Sequence, residues 1–169
     1  MTGGTRQLAE AVARGALRGA GGAASAEARD RDPASCAVEV TRYHAREADG
    51  GDLLAADGYV FATPENLASM AGLMKDFFDR SYYAALDRVA GRPYATVVCA
   101  GSDGEGAARQ IARIATGLRL RAIAAPLIVR VDAQAPERIL APKTIAAPAI
   151  AQAEELGQTL AAGLSMRLW

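Results

Sequence analysis

Between residues 5 and 17 the apolar positions Leu8, Ala9, Val12, Ala13 and Ala16 recur at helical spacing, with Arg6, Glu10, Arg14 and Arg18 among the polar ones, so a first helix is predicted there. Gly19, Gly21 and Gly22 are predicted to end it, and residues 23–35, with the run Arg29-Asp30-Arg31-Asp32-Pro33, read as a solvated connector. Residues 36–40 and 57–62 read as strands. The second contains Tyr59-Val60-Phe61, an unbroken apolar run of the kind buried on both faces. Between them residues 42–52 are polar, with a helical hint before Leu53. After Thr63-Pro64-Glu65-Asn66 an amphipathic helix is predicted, with Leu67, Met70, Leu73, Met74, Phe77 and Phe78 on one side and Lys75, Asp76, Asp79 and Arg80 largely on the other. Residues 94–100 form a further buried strand. A helix over 105–117, a strand over 127–131 and a last helix over 147–164 complete the series.

Helices alternating with mostly apolar strands predict an α/β fold whose parallel sheet is covered on both faces. A doubly wound domain of this sort starts with a strand, whereas this chain starts with the loop that would follow one. The expectation is that the first strand is missing or supplied from elsewhere: from a longer natural chain, another segment or a partner. Its absence would otherwise leave neighbouring backbone edges unpaired.

A length of 169 residues suits one domain with a real core, and 51% hydrophobic with 22% charged residues predicts a folded chain. Nineteen basic residues balance nineteen acidic ones, which argues against nucleic acid or an anionic membrane as partner. Cys36 and Cys99 lack metal-ligand spacing, and His44 is the single histidine, so no metal site is predicted. His44 reads as a surface or capping residue, and Cys99 as a small buried hydrophobe. The opening residues resemble no signal peptide, and no apolar run reaches membrane-spanning length, so a soluble, cytoplasmic protein is expected. The richness in Ala, Gly and Arg fits a GC-rich bacterial genome.

Three short segments are candidates for chemistry. Thr2-Gly3-Gly4-Thr5 opens the first helix, where unpaired amides and the positive end of the helix dipole favour a phosphate. The plain alternative is a threonine capping a helix. Thr63-Pro64-Glu65-Asn66 follows a strand and precedes a helix, the end of an open sheet at which ligands bind. Pro64 in a first helical turn, Thr63 as cap and Glu65 favoured by the dipole would account for it without a ligand. Gly101-Ser102-Asp103-Gly104, after the Val97-Val98 strand, is the third, and an ordinary strand-to-helix turn has the same composition. Three such turns in order at one edge carry more weight than any one of them.

This succession, together with Met74-Lys75-Asp76-Phe77-Phe78-Asp79-Arg80 and Cys99-Ala100, resembles the flavodoxin-like family of FMN-binding proteins and NAD(P)H-dependent reductases over nearly the whole chain. The resemblance implies a three-layer sandwich with a parallel sheet in the order 2-1-3-4-5. It also implies that Thr2, Gly3, Gly4 and Thr5 take the FMN phosphate, while Thr63 to Asn66 and Gly101 to Gly104 hold the isoalloxazine from either side. Gly4 stands where the family's phosphate loop usually has Asn, which removes one side-chain donor.

The second and third turns lack the aromatics with which electron-carrying flavodoxins flank the ring, leaving one face open. An open face favours a two-electron reductase of quinones, flavins or similar small-molecule acceptors, using NADH or NADPH. The alternatives are a one-electron carrier and a truncated, flavin-free structural or regulatory protein. Family resemblance implies a homo-oligomer, dimer or tetramer. No catalytic side chain is predicted, because the flavin supplies the chemistry.

Overall fold

The structure is a computed structural model that describes residues 2–22 and 38–169. The helix of the opening pattern, α1, spans Gly4–Gly22 and runs through Gly19, the first of the three glycines predicted to end it. Helix propensity penalises glycine locally. Tertiary contact reverses the outcome here, because the bare faces of Gly15 and Gly19 lie against backbone of the C-terminal helix, at Glu154 and Gln158.

The predicted strand over 36–40 is not formed at residues 38–40, which are irregular and partly exposed; Cys36, Ala37 and the 23–35 connector lie outside the described residues. A short alternating run becomes a strand only when a neighbour pairs with it. Helix α2, Gly50–Ala55, follows the helical hint, and Asp49 and Asp52 cap it reciprocally. Arg92 closes its other end: Nη1 donates to the carbonyls of Leu53 (2.9 Å), Leu54 (2.9 Å) and Ala56 (2.6 Å).

Strand β1, Tyr59–Asn66, is longer than the apolar run, and turns back through Leu67 and Ala68 into β2, Ser69–Met70, as an antiparallel hairpin. Helix α3, Gly72–Ala85, therefore starts five residues after Leu67, the first residue assigned to it by periodicity. Pairing of Glu65 with Met70 and of Asn66 with Ser69 takes those residues into the sheet. Strand β3, Pro93–Ala100, is buried at every position and is followed by α4, Glu105–Gly117. Two short elements not legible in the pattern, β4 (Arg121–Ala122) and α5 (Pro136–Leu140), flank β5, Leu127–Arg130; α6, Ala147–Ser165, ends the series.

Strand β3 pairs in parallel with β1 on one side, from Tyr59 with Tyr94 to Pro64 with Cys99, and with β4 and β5 on the other. Alternation then sends side chains to two cores. Tyr59, Phe61, Tyr94 and Val98 face α2, α3 and α4, whereas Val60, Ala62, Val97 and Cys99 face α1 and α6. This is the layered α/β flavodoxin-like fold that the resemblance implies, with a mixed five-stranded sheet. The successive β1, β3 and β4–β5 correspond to the last three strands of the expected order. Among the described residues the other edge of β1 carries only the two-residue β2, paired at Glu65 and Asn66.

At the rim of the α1–α6 contact, Glu154 accepts from Arg18 (2.5 Å) and Arg14 (3.0 Å). Those bonds, Arg18's first, hold the Glu154 carboxyl below the usual carboxylate range. A depressed carboxyl contributes stability above its unfolded pKa of about 4.3 and loses it as pH falls through the lower folded value. Acidification below about pH 4.3 is therefore expected to erode a contribution that Glu154→Gln lacks. Since both arginines are more than half exposed, 0.5 M salt should shrink the difference. Urea titrations of the two proteins at pH 6 and pH 3.5 check this; equal losses at both pH values would contradict it.

Candidate functional site

The second candidate segment is strand end and hairpin, not a cap for the next helix. Thr63 is fully buried, and its Oγ1 accepts from the Ala71 amide (3.1 Å) and donates to the Pro64 carbonyl (3.0 Å). Pro64 pairs with Cys99 inside the sheet, away from any first helical turn. Glu65 turns its carboxylate onto the start of α4, accepting from the Gly104 amide (2.6 Å) and reaching the Ala107 amide at 3.4 Å. A helix dipole does favour Glu65, but the helix whose start it meets is α4 and not α3. Asn66 is exposed beside the turn.

The third segment lies where the sequence puts it, between β3 and α4. Gly104 adopts φ 95°, a left-handed conformation suited to glycine, and a Cβ there would stand 2.3 Å from a methyl of Ile128. Gly101 accepts at its carbonyl from the Ala133 amide (3.0 Å). Ser102 and Asp103 are exposed.

The first segment opens α1 as predicted, but it is held by residues that no local signal marks. The Lys143 amide donates to the Thr2 carbonyl (2.8 Å), and the Gln7 side chain bridges Gly3 to Lys143 and Ile145: its Nε2 donates to the Gly3 carbonyl (3.2 Å) and the Lys143 carbonyl (2.6 Å), and its Oε1 accepts from the Ile145 amide (3.1 Å). Lys143 also closes α5, its Nζ donating to the carbonyls of Arg138, Ile139 and Ala141. The amides of Gly4, Thr5 and Arg6 belong to the first helical turn, which has no intrahelical acceptors, and among the described residues none of them meets an acceptor from another element.

Cys99 is the point at which the three segments adjoin. It pairs with Pro64 and stands two residues before Gly101, and a Cβ on Gly4 would lie 2.6 Å from its Sγ. Burial pushes the Cys99 thiol up, and nearby Lys143 offsets this in part, so the sulfur is a protonated core atom at neutral pH. His44 accepts from the Arg46 amide (3.2 Å) in an exposed turn, which is the surface role expected of it. Two clefts lie elsewhere: one of about 220 Å³ between α3 and α4, and one of about 440 Å³ between α6 and Met166, Leu168 and Trp169. None of the twelve candidate residues lines either.

A sequence profile described as NADPH-dependent FMN reductase matches residues 3–136. The chain belongs to this family. This member of the NADPH-dependent FMN reductase family shares its flavodoxin-like fold with the solved structures it resembles. Among solved structures, a flavodoxin, WrbA-like protein from Agrobacterium tumefaciens superposes with TM-score 0.63 at 14% identity, covering 99% of this chain and 92% of that one. A flavodoxin from the domain Archaea gives TM-score 0.66 at 16% identity over 95% and 90% of the two chains. The flavodiiron protein from Giardia intestinalis gives 0.70 at 16% identity, with 99% of this chain matched to 35% of that one. At these identities the likeness establishes the fold alone. Among curated proteins no sequence matches.

The donor set fits the family's FMN. Adjacent free amides at a helix start suit a phosphate dianion, and the hydroxyls of Thr2 and Thr5 add donors that glycine side chains lack. Among the described residues no helix is long and apolar enough to cross a membrane, and no group of three potential metal ligands occurs.

Proposed function

We propose that this FMN reductase family member takes hydride from NADH or NADPH and passes electrons to a quinone, a flavin or a similar small-molecule acceptor. The observation that carries the reading is the meeting of the three segments around Cys99, beside a helix start with unengaged amides. In this reading Thr2, Gly3, Gly4 and Thr5 receive the phosphate, and Thr63, Pro64, Glu65, Asn66, Gly101, Ser102, Asp103 and Gly104 border the ring. FMN, when bound, supplies the hydride and electron chemistry. The chain's part is to bind and orient. Its two ring-bordering turns contain no aromatic side chain, so they leave room for a second flat molecule. Family resemblance supports a homodimer or homotetramer, the balanced charge supports a protein without polyanion partners, and the two lone cysteines fit a cytoplasmic one.

Purified protein titrated with FMN is expected to quench flavin fluorescence at a one-to-one ratio, and to oxidise NADH or NADPH once a quinone is added. Binding without oxidation of either nicotinamide would leave a one-electron carrier as the better account. A second reading, a flavin-free structural protein, is favoured by the position of the two clefts away from all three segments. Under that reading FMN leaves the melting temperature unchanged, whereas a binder at 100 times its Kd gains about 2.7 kcal/mol.

A further inference from the structure

The β1–β2 hairpin turns on Leu67 and Ala68, and both are left-handed, with φ 52° and 59°. Two-residue turns of this kind ordinarily use Asn-Gly or Asp-Gly, because a Cβ in that region crowds the neighbouring carbonyl. The Leu67 side chain is fully exposed, so no burial of its own compensates. Such backbone strain persists only where the surroundings over-determine it.

The surroundings that grip the turn belong chiefly to α4. Gln110 Oε1 accepts from both Ser69 Oγ (2.9 Å) and the Met70 amide (3.2 Å), on the outgoing strand of the hairpin. On the incoming strand Glu65 is fastened to the Gly104 amide. Between them Gly106 presents a bare face to the Ala68 carbonyl, where a Cβ would stand 2.2 Å from the oxygen. The hairpin is therefore gripped on both strands and at its tip by the first two turns of one helix.

We propose that Gln110 is a positioning residue: with Glu65 it clamps the hairpin to α4, and so sets the spacing between the second and third segments. The functional half of this, that the spacing governs how the flavin ring is received, rests on the function proposed above. The structural half does not.

Two variants test it. Gln110→Met keeps length and helix propensity but removes the acceptor, whereas Gln110→Glu keeps an oxygen in place. In flavin-free protein the Met70 amide is expected to exchange with solvent about tenfold faster in Gln110→Met and at nearly the native rate in Gln110→Glu. FMN titration should show a Kd raised about tenfold and an altered visible spectrum of bound flavin in the methionine variant, both restored in the glutamate variant. Native Met70 exchange in Gln110→Met overturns the clamp. Faster exchange with native FMN affinity and spectrum overturns the functional half. If the native protein binds no FMN while Met70 still responds to the variants, the clamp stands and the proposed function falls.

Discussion

Substituting leucine for Gly157 is expected to destabilise the protein by about 3 kcal/mol or more, a large share of the 5–15 kcal/mol typical of a folded domain. Helices α1 and α6 cross with their backbones in contact. A Cβ at 157 would lie 2.0 Å from the Val12 carbonyl oxygen, and one at Gly15 would lie 1.8 Å from that of Glu154. Close carbon–oxygen contacts are about 3.3 Å, so the helices would have to part by more than about 1 Å. Leu8, Ala11, Val12 and Ala153 fill one core between these helices and the sheet, and separation opens voids among all of them. Leucine's better helix propensity returns only about 1 kcal/mol, so the clash decides the sign. Urea denaturation measures the loss, and a variant as stable as the parent would disprove the close crossing. Gly72→Ala is the control: a Cβ there has nothing within 4 Å, so a gain of about 0.5 kcal/mol is expected.

Gly4→Val is expected to weaken FMN binding about 100-fold, equivalent to about 2.7 kcal/mol. The Cβ alone would sit 2.6 Å from Cys99 Sγ and 3.4 Å from Lys143 Cβ, and two further methyl groups enlarge the overlap. Cys99 cannot yield, because it sits in a strand buried at every position. The start of α1 must yield instead, carrying its free amides away from the two turns beside Cys99. Because the obstacle is chiefly one sulfur atom, Gly4→Ala combined with Cys99→Ala should recover much of the affinity lost by Gly4→Ala alone. A double-mutant cycle by flavin fluorescence reads the coupling. Additive effects would mean that helix and sulfur are not in contact, and native affinity in Gly4→Val would remove this helix start from the phosphate site.

Much of the fold was visible along the chain because periodicity is a local property. The β3 run of apolar residues and the stripe of α4 needed no partner to be recognised. The departures share one cause. Residues 38–40 have a strand-like composition and no ladder partner among the described residues, so they stay irregular. Leu67 fits the helical stripe of α3, yet it sits on a hairpin tip because Glu65 and Asn66 find Met70 and Ser69. Nothing in Leu67-Ala68 announces such a turn, since the usual Asn or Gly is absent.

For the candidate site, the glycines, threonines and the Ser-Asp pair drew attention because turns and helix starts need those residues. The side chains that hold these turns carried no such mark. Glu65 reaches an amide 39 residues away, Gln110 one 40 away, and Gln7 a carbonyl 136 away. A hydrogen bond over such separations exists only once the layers have packed, and many other pairings would have been equally consistent with the composition.

Taken alone, the order of residues determined the alternation of helices and buried strands, the three Gly- and Thr-bearing segments and the likeness to an FMN-binding family. Tertiary structure decided that α1 continues through its glycines, that the second segment is a strained hairpin, and that Glu65 caps α4. The division follows from range: propensity and periodicity act over a few residues, whereas close helix crossing, strand pairing and capping from a distance are contacts that chain neighbours cannot specify.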